Sequence, residues 1–191
     1  ASCVKDESVD LTQQAKKLSF EAPVMGTQSR ANVTGEISGT TYPENEEFAV
    51  FAWQYTGEDN NWWSAATPFW VGAEYWKNET NTNKWSSTTD GKNYYWPKAP
   101  QKLAFVAYSP AELSCTSVTH PDRTDGLTVT DFTVETTVEN QQDLMYVSQI
   151  GCTEAVHGES GVTLNFQHAL SSIVFAAIDN DDNADYEINS I

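Results

Sequence analysis

The residues of this chain that could do chemistry are few and scattered. Three cysteines stand at Cys3, Cys115 and Cys152, and three histidines at His120, His157 and His168. Cys3 follows Ala1-Ser2 and precedes a polar run, Lys5-Asp6-Glu7-Ser8. Small residues before a cysteine at the head of a polar tail are what remains around the cleavage site of a bacterial lipoprotein signal. On that reading Cys3 carries the lipid anchor (palmitate and related acyl chains), and the hydrophobic part of the signal lies upstream. Cys115 and Cys152 then form an even pair in an exported protein, where a disulfide is allowed. Two partly buried free thiols are the alternative, and the sequence leaves both open.

None of the histidines has a nucleophile or a second ligand at a fixed spacing. His168, in Phe166-Gln167-His168-Ala169-Leu170, is read as a hydrogen-bonded structural residue near a strand end. No Gly-x-Ser-x-Gly, phosphate loop or His-x-x-x-His occurs. The chain therefore reads as no enzyme, with no cofactor and no metal. Asp179 to Asp185 alternates carboxylates and amides like the start of a calcium loop. Ala184 stands where such a loop turns on glycine, and Ser190 where it needs a bidentate acid, so a solvated turn is expected.

Tryptophan is the other chemically useful residue. Trp62, Trp63, Trp70, Trp76 and Trp85 crowd together with Tyr75 and Tyr94. Exposed rings stack on the apolar faces of sugars. Trp62 and Trp63, in a loop from Gly57 to Ala65, are the candidate ligand contacts; adjacent rings in an extended segment point opposite ways. Trp70 and Trp76 read as core.

These residues must be held by strands, because period-two patterns dominate and no convincing helical period appears. Phe48 to Tyr55 is almost wholly apolar, which predicts burial on both faces. Leu103 to Tyr108 is bracketed by Pro97 and Pro110. Glu74-Tyr75-Trp76 and Lys84-Trp85-Ser86 read as two arms of a hairpin. Pro68 to Val71, Leu127 to Val134 and Asp143 to Ser148 read as further strands, with residues 111–126 as a long connection. Val162, Leu164 and Phe166 point one way and Thr163, Asn165 and Gln167 the other. Leu18 to Val24 alternates as a first strand. Short strands separated by turns predict an all-β, antiparallel β-sandwich.

The charge excludes some partners. Ten Lys and Arg against 27 Asp and Glu leave −17, which repels phosphates, so nucleic acid is no partner. Residues 1–17 read as a lipoprotein tether, with a short helix near Leu11 to Lys17. Residues 18–178 form an N-terminal sandwich domain. Residues 179–191 begin a following strand or a second domain, so the chain is expected to stop short of the whole protein.

Four segments in this order carry a family resemblance: Phe48-Ala49-Val50-Phe51-Ala52; Tyr95-Trp96-Pro97 with Leu103 to Pro110; Asp143-Leu144-Met145-Tyr146; and Val162 to Ser171. With Ser29-Arg30-Ala31 ahead of them, they resemble the fimbrillin-like (Mfa-like) surface lipoproteins of Bacteroidetes. The resemblance implies two transthyretin-like (Greek-key) sandwich domains, a lipid anchor in the outer membrane, and a surface-exposed subunit or tip adhesin of fimbriae. It implies partners too: other fimbrial subunits, joined by strand addition, and a host glycan or protein. In relatives that polymerise, a protease cuts after an arginine and frees the first strand. Here Arg30 is the implied maturation site and Leu18 to Val24 the strand removed. The rival reading is a surface lipoprotein that binds glycans through Trp62 and Trp63.

Overall fold

The computed structural model describes residues 15–22, 24–25, 42, 46–78, 85–88, 92–122, 126–137 and 140–170. The architecture over these residues is all-β and mainly antiparallel, as expected. Its centre is β3 (Glu47–Tyr55), flanked by β5 (Glu74–Asn78) and β7 (Lys102–Ser109). On one side β5 pairs with β6 (Trp85–Ser87) as a hairpin, and β6 meets β1 (Phe20–Glu21). On the other, β7 pairs with β10 (Met145–Cys152), and β10 with β12 (Phe166–His168). Two parallel pairings complete the path: β1 with β11 (Val162–Thr163), and β12 with β2 (Val24–Met25). A short β4 (Thr67–Pro68) adds to β3.

At the two ends of this sheet the same two segments of chain meet again, residues 20–21 beside 162–163 and residues 24–25 beside 166–167. The sheet is therefore rolled on itself and closes round an interior. That interior is filled by Phe20, Phe48, Trp76, Trp85, Phe105 and Phe166, among others. The rings around Phe20 meet it edge to face, the arrangement their quadrupoles favour; Phe20 lies 4.6 Å from Trp76 at 86°.

The apolar run of β3 does serve two faces. Phe48, Val50 and Ala52 enter the closed interior, while Ala49, Phe51 and Trp53 enter a second cluster on the outer face. That outer cluster is covered by a ribbon of β8 (Ser117–Asp122) and β9 (Gly126–Thr130), through Val118 and Leu127. Four expectations are corrected here. Residues 117–122 are a strand where a connection was expected, because one inward valine among polar residues gives no readable alternation. The strand expected over Leu127 to Val134 ends at Thr130, because Asp131 takes a φ of 53° and turns the chain. Pro68 to Val71 is strand only over Thr67–Pro68, yet Trp70 is buried, its indole donating to Val50 O at 2.9 Å. Lys17 forms an extended bridge to Tyr95 where the end of a short helix was expected.

Candidate functional site: the first strand and the aromatic loop

The first strand is built into the molecule from both edges. On one edge Leu18 N donates to Tyr94 O at 2.7 Å, and Trp96 N donates to Lys16 O at 3.0 Å. On the other, Val162 N donates to Ser19 O at 2.9 Å and Leu164 N to Glu21 O at 2.7 Å. Alternation then aims Leu18, Phe20 and Ala22 inward, the first two fully buried. Phe20 meets Phe105 at 5.0 Å and Phe48 at 6.2 Å besides Trp76. Close approach at Ser19 requires the glycine opposite. Gly161 has φ +91°, and a Cβ there would stand 3.0 Å from Ser19 Oγ. The sequence marked this strand by its alternation. It did not mark Tyr94, Trp96 and Gly161 as its partners, since they lie more than seventy positions away in the chain.

The aromatic loop is a 3-10 turn, Asp59–Ser64. Its rings do not split to opposite sides, because that expectation assumed an extended segment. Trp62 and Trp63 are both half-buried and both lean on Trp53, at 5.9 and 5.4 Å. They meet each other at 4.5 Å and 88°. A polar clamp holds the turn in place. Asp59 Oδ1 accepts from Lys102 Nζ and from Tyr55 OH, each at 2.8 Å. Lys102 also donates to Gly57 O at 2.9 Å, and Gly151 N donates to Tyr55 OH at 2.8 Å. The hydrogen bond from Lys102, then that from Tyr55, holds the Asp59 carboxyl below its ordinary pKa. Burial, with the Asp59 contact adding to it, pushes the Tyr55 phenol up.

The remaining candidates are placed apart. Of the two states left open for Cys115 and Cys152, the structure has free thiols. Cys152 is fully buried in the closed interior, and burial pushes its thiol up to about 12. Cys115 is half-buried between Leu113 and Val118, which pack on the outer cluster. His168 Nδ1 stands 2.8 Å from Oδ2 of the buried Asp143, close enough for an ion pair but without the geometry of a hydrogen bond, and neither Asp143 oxygen has a hydrogen-bond partner among the described residues. His157 stacks on Trp96 at 6.0 Å. Cys3, Arg30 and the acidic run from Asp179 lie outside the described residues, as does the side chain of His120.

A rolled, ring-filled sandwich that shuts on its own first strand has a likeness in sequence as well. A family model described as fimbrillin-like matches residues 29–191. The chain belongs to the fimbrillin-like family. No curated protein and no solved structure matches it. Fimbrillin-like proteins are structural, and membership points to a fimbrial subunit at the cell surface that associates with other subunits. The matched region begins at Ser29, so the first strand of this fimbrillin-like chain precedes it.

Proposed function

We propose that this protein is a fimbrial subunit tethered to the outer membrane through lipid on Cys3 until a cut at Arg30 frees it from the strand at Leu18 to Val24, and that a neighbouring subunit then places a strand of its own in the slot left behind. The observation behind this reading is the seat of Phe20. Its ring is fully buried, and among the described residues the strand that carries it is held mainly through sheet edges and apolar side chains. Withdrawing that strand would uncover Phe48, Trp76, Trp85, Phe105, Val162 and Phe166, and leave unpaired backbone on both sides. Exposed edges beside an apolar slot are a template for another strand. Uncovering Leu18 and Phe20 alone forgoes about 4 kcal/mol of burial, enough to favour refilling.

The chain has two arginines, Arg30 and Arg123. In an Arg123→Lys background an arginine-specific protease has one site. Cutting there is expected to give a ladder of oligomers on gels of unheated samples, and Arg30→Ala is expected to remove it. A complete cut without oligomers, or a ladder from the Arg30→Ala chain, would overturn the reading.

A further inference from the structure

The strand-exchange reading leaves open how the slot recognises the right strand. Apolar pattern alone does not suffice within this chain. Lys17-Leu18-Ser19-Phe20-Glu21-Ala22 and Lys102-Leu103-Ala104-Phe105-Val106-Ala107 share lysine, leucine, phenylalanine and alanine at the same four positions. Both keep a small residue where Ser19 faces Gly161. The residue one step earlier differs: Lys16 in the first segment, Gln101 in the second.

Lys16 is held at the mouth of the slot by the loop that follows β10. Its Nζ lies 2.7 Å from Glu159 Oε1. Its stem runs against Gly158, where an added Cβ would stand 2.8 Å from Lys16 Cδ. The hydrogen bond to Glu159, with Glu154 adding at longer range, holds the ammonium above its ordinary pKa. Glu154 opens the short helix α1 (Glu154–His157), whose end is Gly158. The loop thus sets two carboxylates and the bare backbone of Gly158 beside the Lys16 side chain. In a chain of net charge −17, a strand arriving from another copy comes from an acidic molecule, and carboxylates at the mouth repel an acidic lead.

We infer that the slot selects its occupant by charge: the incoming strand carries a Lys or Arg two residues ahead of its first buried apolar side chain, seated on Gly158 between Glu154 and Glu159. This rests on the strand-exchange reading and specifies its partner. Register follows from the same contact, since a strand shifted by two would keep its apolar face and lose the cation.

The test uses the full chain with a recognition site for a site-specific protease in place of residues 26–30. The cut protein is incubated with excess labelled peptide of residues 15–22, with its Lys16→Gln and Lys16→Glu forms, and with the peptide of residues 100–107. The native peptide should bind about two- to threefold tighter than the Lys16→Gln form, as expected of an exposed ion pair. The Lys16→Glu form should bind more weakly still, and residues 100–107 should group with Lys16→Gln. In cut Glu159→Lys protein the order of the native and Lys16→Glu peptides should invert, and a molar concentration of salt should shrink every difference. Equal binding of all four peptides would overturn charge selection and leave strand exchange standing. Binding of none would overturn both.

Discussion

Phe20→Ala tests whether the first strand belongs to the core. The ring is fully buried, and rings of Trp76, Phe105 and Phe48 stand within 4.6 to 6.2 Å of it. Lost transfer of the ring from water contributes about 2 kcal/mol. The void left between fixed aromatic neighbours contributes about 2 kcal/mol more. The expected loss is therefore about 4 kcal/mol, measured by urea unfolding followed by tryptophan fluorescence and circular dichroism. At a slope of about 2 kcal/mol per molar urea, the midpoint falls by about 2 M. Val71→Ala, at a side chain 92% exposed, is the control and should move stability by less than about 0.5 kcal/mol. A loss below about 1 kcal/mol for Phe20→Ala would show that the sheet does not close on this strand, and the reasoning would fail.

Other consequences follow from the same packing. His168→Ala removes the polar group that faces the buried Asp143 and should cost about 1 to 3 kcal/mol in the same unfolding assay. Asp59 has a depressed folded pKa, so its contribution is present above the unfolded carboxylate value of about 4 and lost as pH falls through the folded value; Asp59→Asn should flatten the stability decline below about pH 4. Trp53→Ala removes the floor under Trp62 and Trp63, and their emission should shift to the red in native protein. Thiol labelling of native protein, mapped by mass, should mark Cys115 well before Cys152, whose thiol is buried and raised to about 12; equal rates would contradict the interior position.

The strands were legible where burial leaves a local trace. Phe48 to Tyr55 showed its two buried faces through the lack of polar alternation, and Val162 to Gln167 showed its single buried face through strict alternation. The hairpin of β5 and β6 could be read from its apolar arms. Ser117–Asp122 could not, because its place is fixed by Leu127 on the opposite strand and by the outer face of β3. The tryptophan loop misled for a similar reason. Its 3-10 path is set by Lys102 and Gly151, 43 and 96 residues from their partners Asp59 and Tyr55. The parallel seat of the first strand is also a long-range fact: alternation marked residues 18–24 as a strand but could not name residues 162–168 as its neighbour.

Assembly by strand replacement requires a first strand that is both part of the core and replaceable. With the chain cut at Arg30, mass spectrometry can follow the freed N-terminal fragment while light scattering follows assembly. Under strand replacement the fragment leaves the protein in step with oligomer growth, one fragment for each junction formed. Oligomers that retain every fragment, or fragments released from protein that stays monomeric, would contradict it.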